Sequence, residues 1–346
     1  MSSQISLQDY FLTNYTKCSQ SFSILSTPEF LSISSKTEFI LILPINIFGF
    51  YCIVFHSPRY MKEFQWHLFH LQFWFLMLTV FYSLLTTPFQ FYPAQVRCSI
   101  GLLHHLNISS QYQMCIVHFV YSGIATSVIA LFENRHKHLV PSTDIFYRIN
   151  NFHRILIGIL NFSAGLTNSM PVLMQDESQE LLKLKYLEVL PCPINLYFDS
   201  CSFAVVKKAD IWSTLAYSSN LLIAIEIIFL VVHSYMYLRK SQLITTFSAR
   251  TKQLQKAFFK AAIAQASAPI FVLVVPIFLL AYVYSTGAYL QGLINICILF
   301  IPANSVLSTA SLLIFNAPYR NFLKQLLVSR TAPEVSSSRV AAISSV

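Results

Sequence analysis

Charge-free apolar runs recur along the chain, separated by short polar stretches, and each is long enough to cross the roughly 30 Å hydrocarbon layer as a helix. Seven spans are predicted, at about Thr37–His56, Trp66–Pro88, Gln111–Phe132, Phe152–Met174, Ile211–Leu238, Ala262–Ser285 and Gln291–Phe315. The last two divide one run without formal charge, Ala261 to Tyr319, which is too long for a single crossing; Thr286-Gly287 near its middle supplies the turn. Pro44 and Gly49 interrupt the first span, as a packed membrane helix tolerates. Residues 1–36 are polar and hold no apolar core of the kind a cleaved leader needs, so the first span is expected to act as the signal. Residues 175–210 collect Asp176, Glu177, Glu180, Glu188 and Asp199 around Pro191-Cys192-Pro193 and read as a water-facing loop. The organisation expected is a tail at 1–36, a seven-helix bundle at 37–316, and a short amphipathic helix with a Ser-rich tail at 317–346.

Composition agrees with that pattern and excludes a soluble domain. Of 346 residues 55% are hydrophobic and 11% charged, against the quarter expected of soluble proteins, and the mean hydropathy is +0.57. The net charge of +9 is a matter of sidedness and not of nucleic acid. Most of the Lys and Arg residues fall in the first, third and fifth loops and the C-terminal tail, which places those segments inside and the N-terminus outside. Two sequons with candidate glycosylation sites, at Asn14 and Asn107, lie on the predicted outer side, while a third, at Asn161, lies within the fourth span.

Candidate chemistry begins at Glu133-Asn134-Arg135, where charge returns after a run free of Asp, Glu, Lys and Arg from Cys98 to Phe132. Arg135 can snorkel, pair with a carboxylate, or meet a partner arriving from the inner side. Residues two apart on a helix do not face each other, so Glu133 and Arg135 each need a different partner. Lys252, Lys256 and Lys260 share one face of an expected inward extension of the sixth helix, fit either for a protein partner or for anionic lipid. After Pro318, Phe322/Leu326 and Leu323/Leu327 form an apolar stripe beside Arg320 and Lys324, as in a helix lying on the membrane. Ser336, Ser337 and Ser338 are candidate phosphorylation sites. For a ligand in the outer half, Met114, His118, Tyr121 and Ser122 lie roughly on one face of the third span, and Asn168, Asn220, Tyr282 and Asn295 toward the outer ends of theirs. Interhelical hydrogen bonding is the competing role for His118 and the Asn residues. Glu226 reads as the only acid deep in a span. No metal-ligand spacing, nucleotide loop or nucleophile elbow is present, so neither a cofactor nor an enzyme is expected. A transporter is the alternative, but the odd span count and the lack of repeated halves favour a receptor.

Five strings, Phe48-Gly49-Phe50-Tyr51-Cys52, Ser57-Pro58-Arg59-Tyr60-Met61, Leu131-Phe132-Glu133-Asn134-Arg135, Leu190-Pro191-Cys192-Pro193 and Pro318-Tyr319-Arg320, together give a chain that resembles the nematode serpentine receptors of class H. The resemblance implies a G-protein-coupled chemoreceptor of the plasma membrane of sensory neurons, and the aromatic content and lack of fixed charge in the outer half of the bundle suggest a small neutral or weakly polar ligand. It also implies signalling through a heterotrimeric G protein, for which the Glu133, Asn134 and Arg135 segment, the face carrying Lys252, Lys256 and Lys260, and Pro318, Tyr319 and Arg320 are the candidate coupling residues. Glu133-Asn134-Arg135 stands where rhodopsin-like receptors have Asp/Glu-Arg-Tyr, and Pro302-Ala303-Asn304-Ser305 is only loosely similar to their Asn-Pro-x-x-Tyr. Of seven cysteines, Cys18, Cys98, Cys192 and Cys201 are outside; Cys18 with Cys192 is the preferred bridge and Cys115 with Cys192 the competitor.

Overall fold

The computed structural model describes residues 6–18, 23–140, 150–206, 211–243 and 248–331. Seven long helices make the bundle: α1 (Pro28–Phe55), α2 (Lys62–Val80, continued by a π turn at Phe81–Leu85), α3 (Ser110–Leu139), α4 (Asn151–Leu166, extended by short turns to Leu173), α5 (Ile211–Leu243), α6 (Ala249–Thr286) and α7 (Gln291–Phe315). Among the described residues, α1–α5 and α7 are long and apolar enough to cross a bilayer. The 38 residues of α6, about 57 Å of helix, contain the charge-free run from Ala261 and supply the seventh. An eighth helix, α8 (Ala317–Thr331), follows.

Three helix bounds differ from the hydropathy reading, each for a local reason. α1 starts nine residues before Thr37, because the Thr27 side chain accepts a hydrogen bond from the Phe30 N–H and Pro28 occupies the first turn, where its missing N–H costs nothing. α3 runs two turns past Phe132, since polar and charged residues end an apolar run without ending a helix, and its last turn carries His136, Lys137 and His138 near the negative end of the helix dipole. α6 starts at Ala249, a dozen residues before its apolar run.

One end of the bundle is covered by a cap built from the N-terminal tail, the α2–α3 connection and the long α4–α5 loop. Strands β1 (Pro88–Phe91), β2 (Val96–Ser99) and β3 (Ser202–Ala204) form an antiparallel sheet in that order, with Cys98 opposite Ser202. A disulfide between Cys98 and Cys201 ties the two connections together, and a second, Cys18 to Cys192, ties the tail to the loop. Cys115, Cys52 and Cys297 are free. The tail helix Leu7–Thr13 opens with a capping box between Ser6 and Asp9, and Tyr10 donates to the Pro191 carbonyl. The exposed edge of β3 is closed by side chains: Gln179 exchanges two hydrogen bonds with the Ala204 backbone, and Gln175 bonds the Ala204 carbonyl and the Val206 N–H. Sequence reading left this whole region as loop, because its strands are three or four residues long and gain their partners from remote segments.

The core is continuous but divided in two, one apolar cluster under the cap and one toward the opposite end. Between α1, α2 and α7 lies a group of fully buried polar side chains. Gln72 donates to Asn46 Oδ1 and to Thr309 Oγ1, both at 2.6 Å; Asn46 donates to Ser305 at 3.0 Å; Thr79 reaches Ser305 at 2.8 Å and the Pro302 carbonyl at 3.2 Å. Gly49 permits this approach of α1 to α7, since a Cβ there would press on the Thr309 methyl. At the end opposite the cap, α8 docks through Tyr319, which is fully buried with its hydroxyl 2.6 Å from Ser57 Oγ, and through Phe322, stacked on His56. Burial pushes the Tyr319 phenol up to about 12. Ser336, Ser337 and Ser338 lie outside the described residues.

Two predictions follow from this packing. Gln72→Leu leaves Asn46 and Thr309 short of partners and is expected to cost about 1–3 kcal/mol, seen as a lower melting temperature of the purified protein. Adding Thr309→Val should then cost little more; fully additive losses would show that the groups do not act as one network. In the cap, Lys183 is buried, and burial lowers its ammonium below the usual lysine range despite the opposing pull of Asp199. Below its folded pKa the cation is present in both states and its burial cost is fully felt; as pH rises through that value the folded protein sheds the proton first and the cost is relieved. Lys183→Met should therefore raise the melting temperature at pH 7, with a gain that shrinks as pH approaches about 10.4, the ordinary lysine value. An equal gain at both pH values would refute the account.

Candidate functional site

The segment Glu133-Asn134-Arg135 sits inside α3, in its penultimate turns, and its two charged residues point different ways, as their spacing requires. Glu133 accepts a hydrogen bond from Arg154 Nη1 of α4 at 2.8 Å, an ion pair that is mostly shielded from solvent. Arg135 is buried, with its guanidinium 3.2 Å from the centroid of the Phe64 ring on α2. At the next residue, His136 Nε2 lies 2.6 Å from His233 Nδ1 of α5, and Phe229 stacks on His233 while Tyr237 meets it edge on. Such a nitrogen–nitrogen contact requires one ring to donate and the other to accept. His138 pairs with Glu63 of α2 at 3.0 Å, and its carbonyl accepts from Gln255 of α6. Phe259 of α6 packs against Leu139 and Leu238. In this way the last two turns of α3 are in contact with α2, α4, α5 and α6.

Around that hub are the basic residues that the sequence singled out. Lys256 and Lys260 are exposed on the extension of α6, and the side chain of Lys252 lies outside the described residues. On α8, Arg320 is exposed and donates to the Ile314 carbonyl, Pro318 is half-buried, and Tyr319 faces inward. Asn134 is within the same turn of α3 as Glu133 and Arg135. Of the residues expected for coupling, Tyr319 therefore holds α8 in place, whereas Lys256, Lys260 and Arg320 present charge.

The residues expected to bind a ligand do not share one chamber. Tyr121 of α3 points to α2, where its hydroxyl donates to Tyr82 at 3.3 Å within the apolar cluster under the cap. His118 and Ser122 point instead to α4: His118 Nδ1 is 3.4 Å from Ser169 Oγ, and Ser122 returns its hydroxyl to the His118 carbonyl, with Gly165 close behind it. Met114 is half-buried one turn nearer the cap. Asn168 and Asn220 exchange a reciprocal pair of hydrogen bonds, 3.1 and 2.8 Å, between the end of α4 and α5. Asn295 is fully buried and donates to the Leu25 carbonyl, fastening α7 to the segment before α1. Tyr282 is 58% exposed on the outside of α6. Glu226 precedes His233 by two helical turns, about 10 Å, so the His136–His233 contact sets it nearer the α3 hub than the cap. A second acid, Glu38, stands ten residues into α1, a helix of spanning length. Asn14 and Asn107 are exposed on the cap side, whereas Asn161 is buried, out of reach of a glycan.

Sequence reasoning missed Arg154 as the partner of Glu133, the His136–His233 contact, the Tyr82–Tyr121 pair, and the whole Asn46–Gln72–Thr309 group. Polar residues interrupting apolar runs marked each one, but nothing in a linear pattern says which of them meet.

Comparisons with known proteins fit this architecture. Residues 26–329 match the family described as serpentine type 7TM GPCR chemoreceptor Srh, a receptor family and not an enzyme family. The chain is also similar to serpentine receptor class H-72 of Caenorhabditis elegans, with 27% identity across 97% of this chain and 98% of that protein. A match over most of the length, on a bundle of long apolar helices, establishes that this chain belongs to the serpentine class H family of seven-transmembrane chemoreceptors.

Proposed function

We propose that the chain is a chemosensory receptor of the plasma membrane of sensory neurons, with the capped end outside, that binds a small neutral or weakly polar molecule beneath the cap and signals through a heterotrimeric G protein. The observation that carries this reading is the α3 hub. An acid and a base in the last three turns of α3 are held in different contacts, Glu133 with Arg154 and Arg135 against Phe64, and α6 rests on the end of the same helix through Gln255 and Phe259, beside its exposed Lys256 and Lys260. Separating α6 from that end would open a cleft bordered by Arg135, Lys256, Lys260 and Arg320, into which a partner rich in carboxylates would fit.

A ligand acts only through a difference in affinity between the closed and open arrangements. The Tyr82–Tyr121 pair is placed to sense it, since these hydroxyls lie under the cap and on α2 and α3. Between them and the hub stands the polar group around Pro302, which has no N–H to offer the Ile298 carbonyl one turn earlier in α7, and whose own carbonyl accepts from both Thr79 and Ser305. Hydroxyls and amides in that group can exchange partners at small cost, which suits a hinge. In this reading residues 1–36 and the cap restrict entry, residues 37–316 transmit, and residues 317–346 meet the inner leaflet.

Cells expressing the chain with a second-messenger readout test this directly. Arg154→Ala releases Glu133 and is expected to raise signalling without ligand several-fold, whereas Arg135→Ala should reduce ligand-driven signalling at least about tenfold at equal surface expression. Unchanged coupling in Arg135→Ala would remove Arg135 from this role. Epitope tags at the two termini should stain on opposite sides of the membrane, and staining of both on intact cells would end the receptor reading.

A further inference from the structure

On the outer face of the bundle, away from the cap and the α3 hub, a trough of about 810 Å³ runs between α1 and α7. Its walls are apolar, with Leu41, Ile45, Phe300 and Leu307 among them, and its floor on α7 is the small Ala303. The trough opens sideways, since Ile33 and Leu41 are each 66% exposed. The trough lies well along both helices: Glu38 is about 15 Å from the start of α1 and Phe300 about 14 Å from the start of α7.

Into this apolar space comes one carboxyl group. Glu38 lines the trough, and its Oε2 is buried without a hydrogen-bond partner. The hydroxyl of neighbouring Thr37 does not serve it, being bonded to the Ile33 carbonyl at 2.9 Å. A carboxyl oxygen buried among apolar side chains is costly unless something satisfies it, and residues of this kind in spanning helices face partners or pathways when they occur. The volume is of the order that holds a small ligand. We infer that the α1–α7 trough is a binding site, entered laterally from the bilayer, for a lipophilic amine whose nitrogen pairs with Glu38 and whose apolar body lies along Leu41, Ile45 and Phe300. An alcohol or an acid of the same length would fill the trough but lack the complementary charge. This site is separate from the region under the cap and stands whether or not a ligand binds there.

The test uses the full chain in nanodiscs of phosphatidylcholine, with hexadecylamine carrying a mid-chain diazirine as the probe and peptide mapping after photolysis. Label is expected on the α1 and α7 segments that line the trough, with the matched hexadecanol probe labelling about tenfold less. Glu38→Gln, which keeps the shape and removes the charge, should reduce amine labelling about tenfold. Ala303→Phe, which fills the trough while leaving Glu38 intact, should abolish labelling by both probes and decides the matter if Glu38→Gln does not fold. Equal labelling by amine and alcohol, undiminished labelling of either variant, or label placed elsewhere on the bundle would overturn the assignment.

Discussion

A side chain that can hydrogen-bond has few options inside lipid, where no water is present to satisfy it. The packing of α1, α2 and α7 is organised by that constraint. Asn46 and Gln72 bring amides into runs of apolar residues; Asn46 donates to the Ile42 carbonyl of its own helix and to Ser305 of α7, and Gln72 donates to Asn46 of α1 and Thr309 of α7. Apolar side chains are as well solvated by lipid as by one another, so they do not fix how far one helix slides along its neighbour. Directional bonds do. Once Asn46, Gln72 and Thr309 meet, the slide of α7 is set, and with it the positions of Pro302, of Asn295 against Leu25, and of α8.

The cap works by a different means. Its strands are short and could not persist alone. Two disulfides and the glutamine contacts along β3 hold it, and Ser110 at the start of α3 bonds both the Ser99 N–H and the Cys201 carbonyl. The start of α3 is therefore part of the cap, while its end is the hub that α2, α4, α5 and α6 touch. A single helix of 30 residues joins the region most constrained by covalent bonds to the region held by ion pairs, ring contacts and a histidine pair. The glycines on this path serve approach and not flexibility, since a Cβ at Gly123 would collide with the Trp74 ring of α2.

Glu133 and Arg135 show how two adjacent charges are handled at such a place. Neither pairs with the other. Glu133 is neutralised by Arg154, and the broad face of Phe64 receives the Arg135 guanidinium, which is less strongly hydrated than an ammonium and so tolerates an aromatic surface. The spacing that departs from Asp/Glu-Arg-Tyr thus gives each charge in this chain its own partner on a different helix.

By itself the sequence determined the number of spans, the turn at Thr286-Gly287, the concentration of positive charge at one set of loops, and the family, because hydropathy and charge act locally and are read residue by residue. It did not give the start of α1 nine residues early, although Thr27-Pro28-Glu29 is an ordinary helix start, because a polar first turn hid the signal from hydropathy. Only the tertiary structure decided which cysteines join, that Tyr282 faces outward and Asn295 fastens α7, and that Glu38 faces a lipid-side trough. The physical reason is the same in each case. Rotation of a helix about its axis and its slide along a neighbour are fixed by contacts between residues far apart in sequence, and in a chain so uniformly apolar no periodicity distinguishes the face turned to lipid from the face turned to protein.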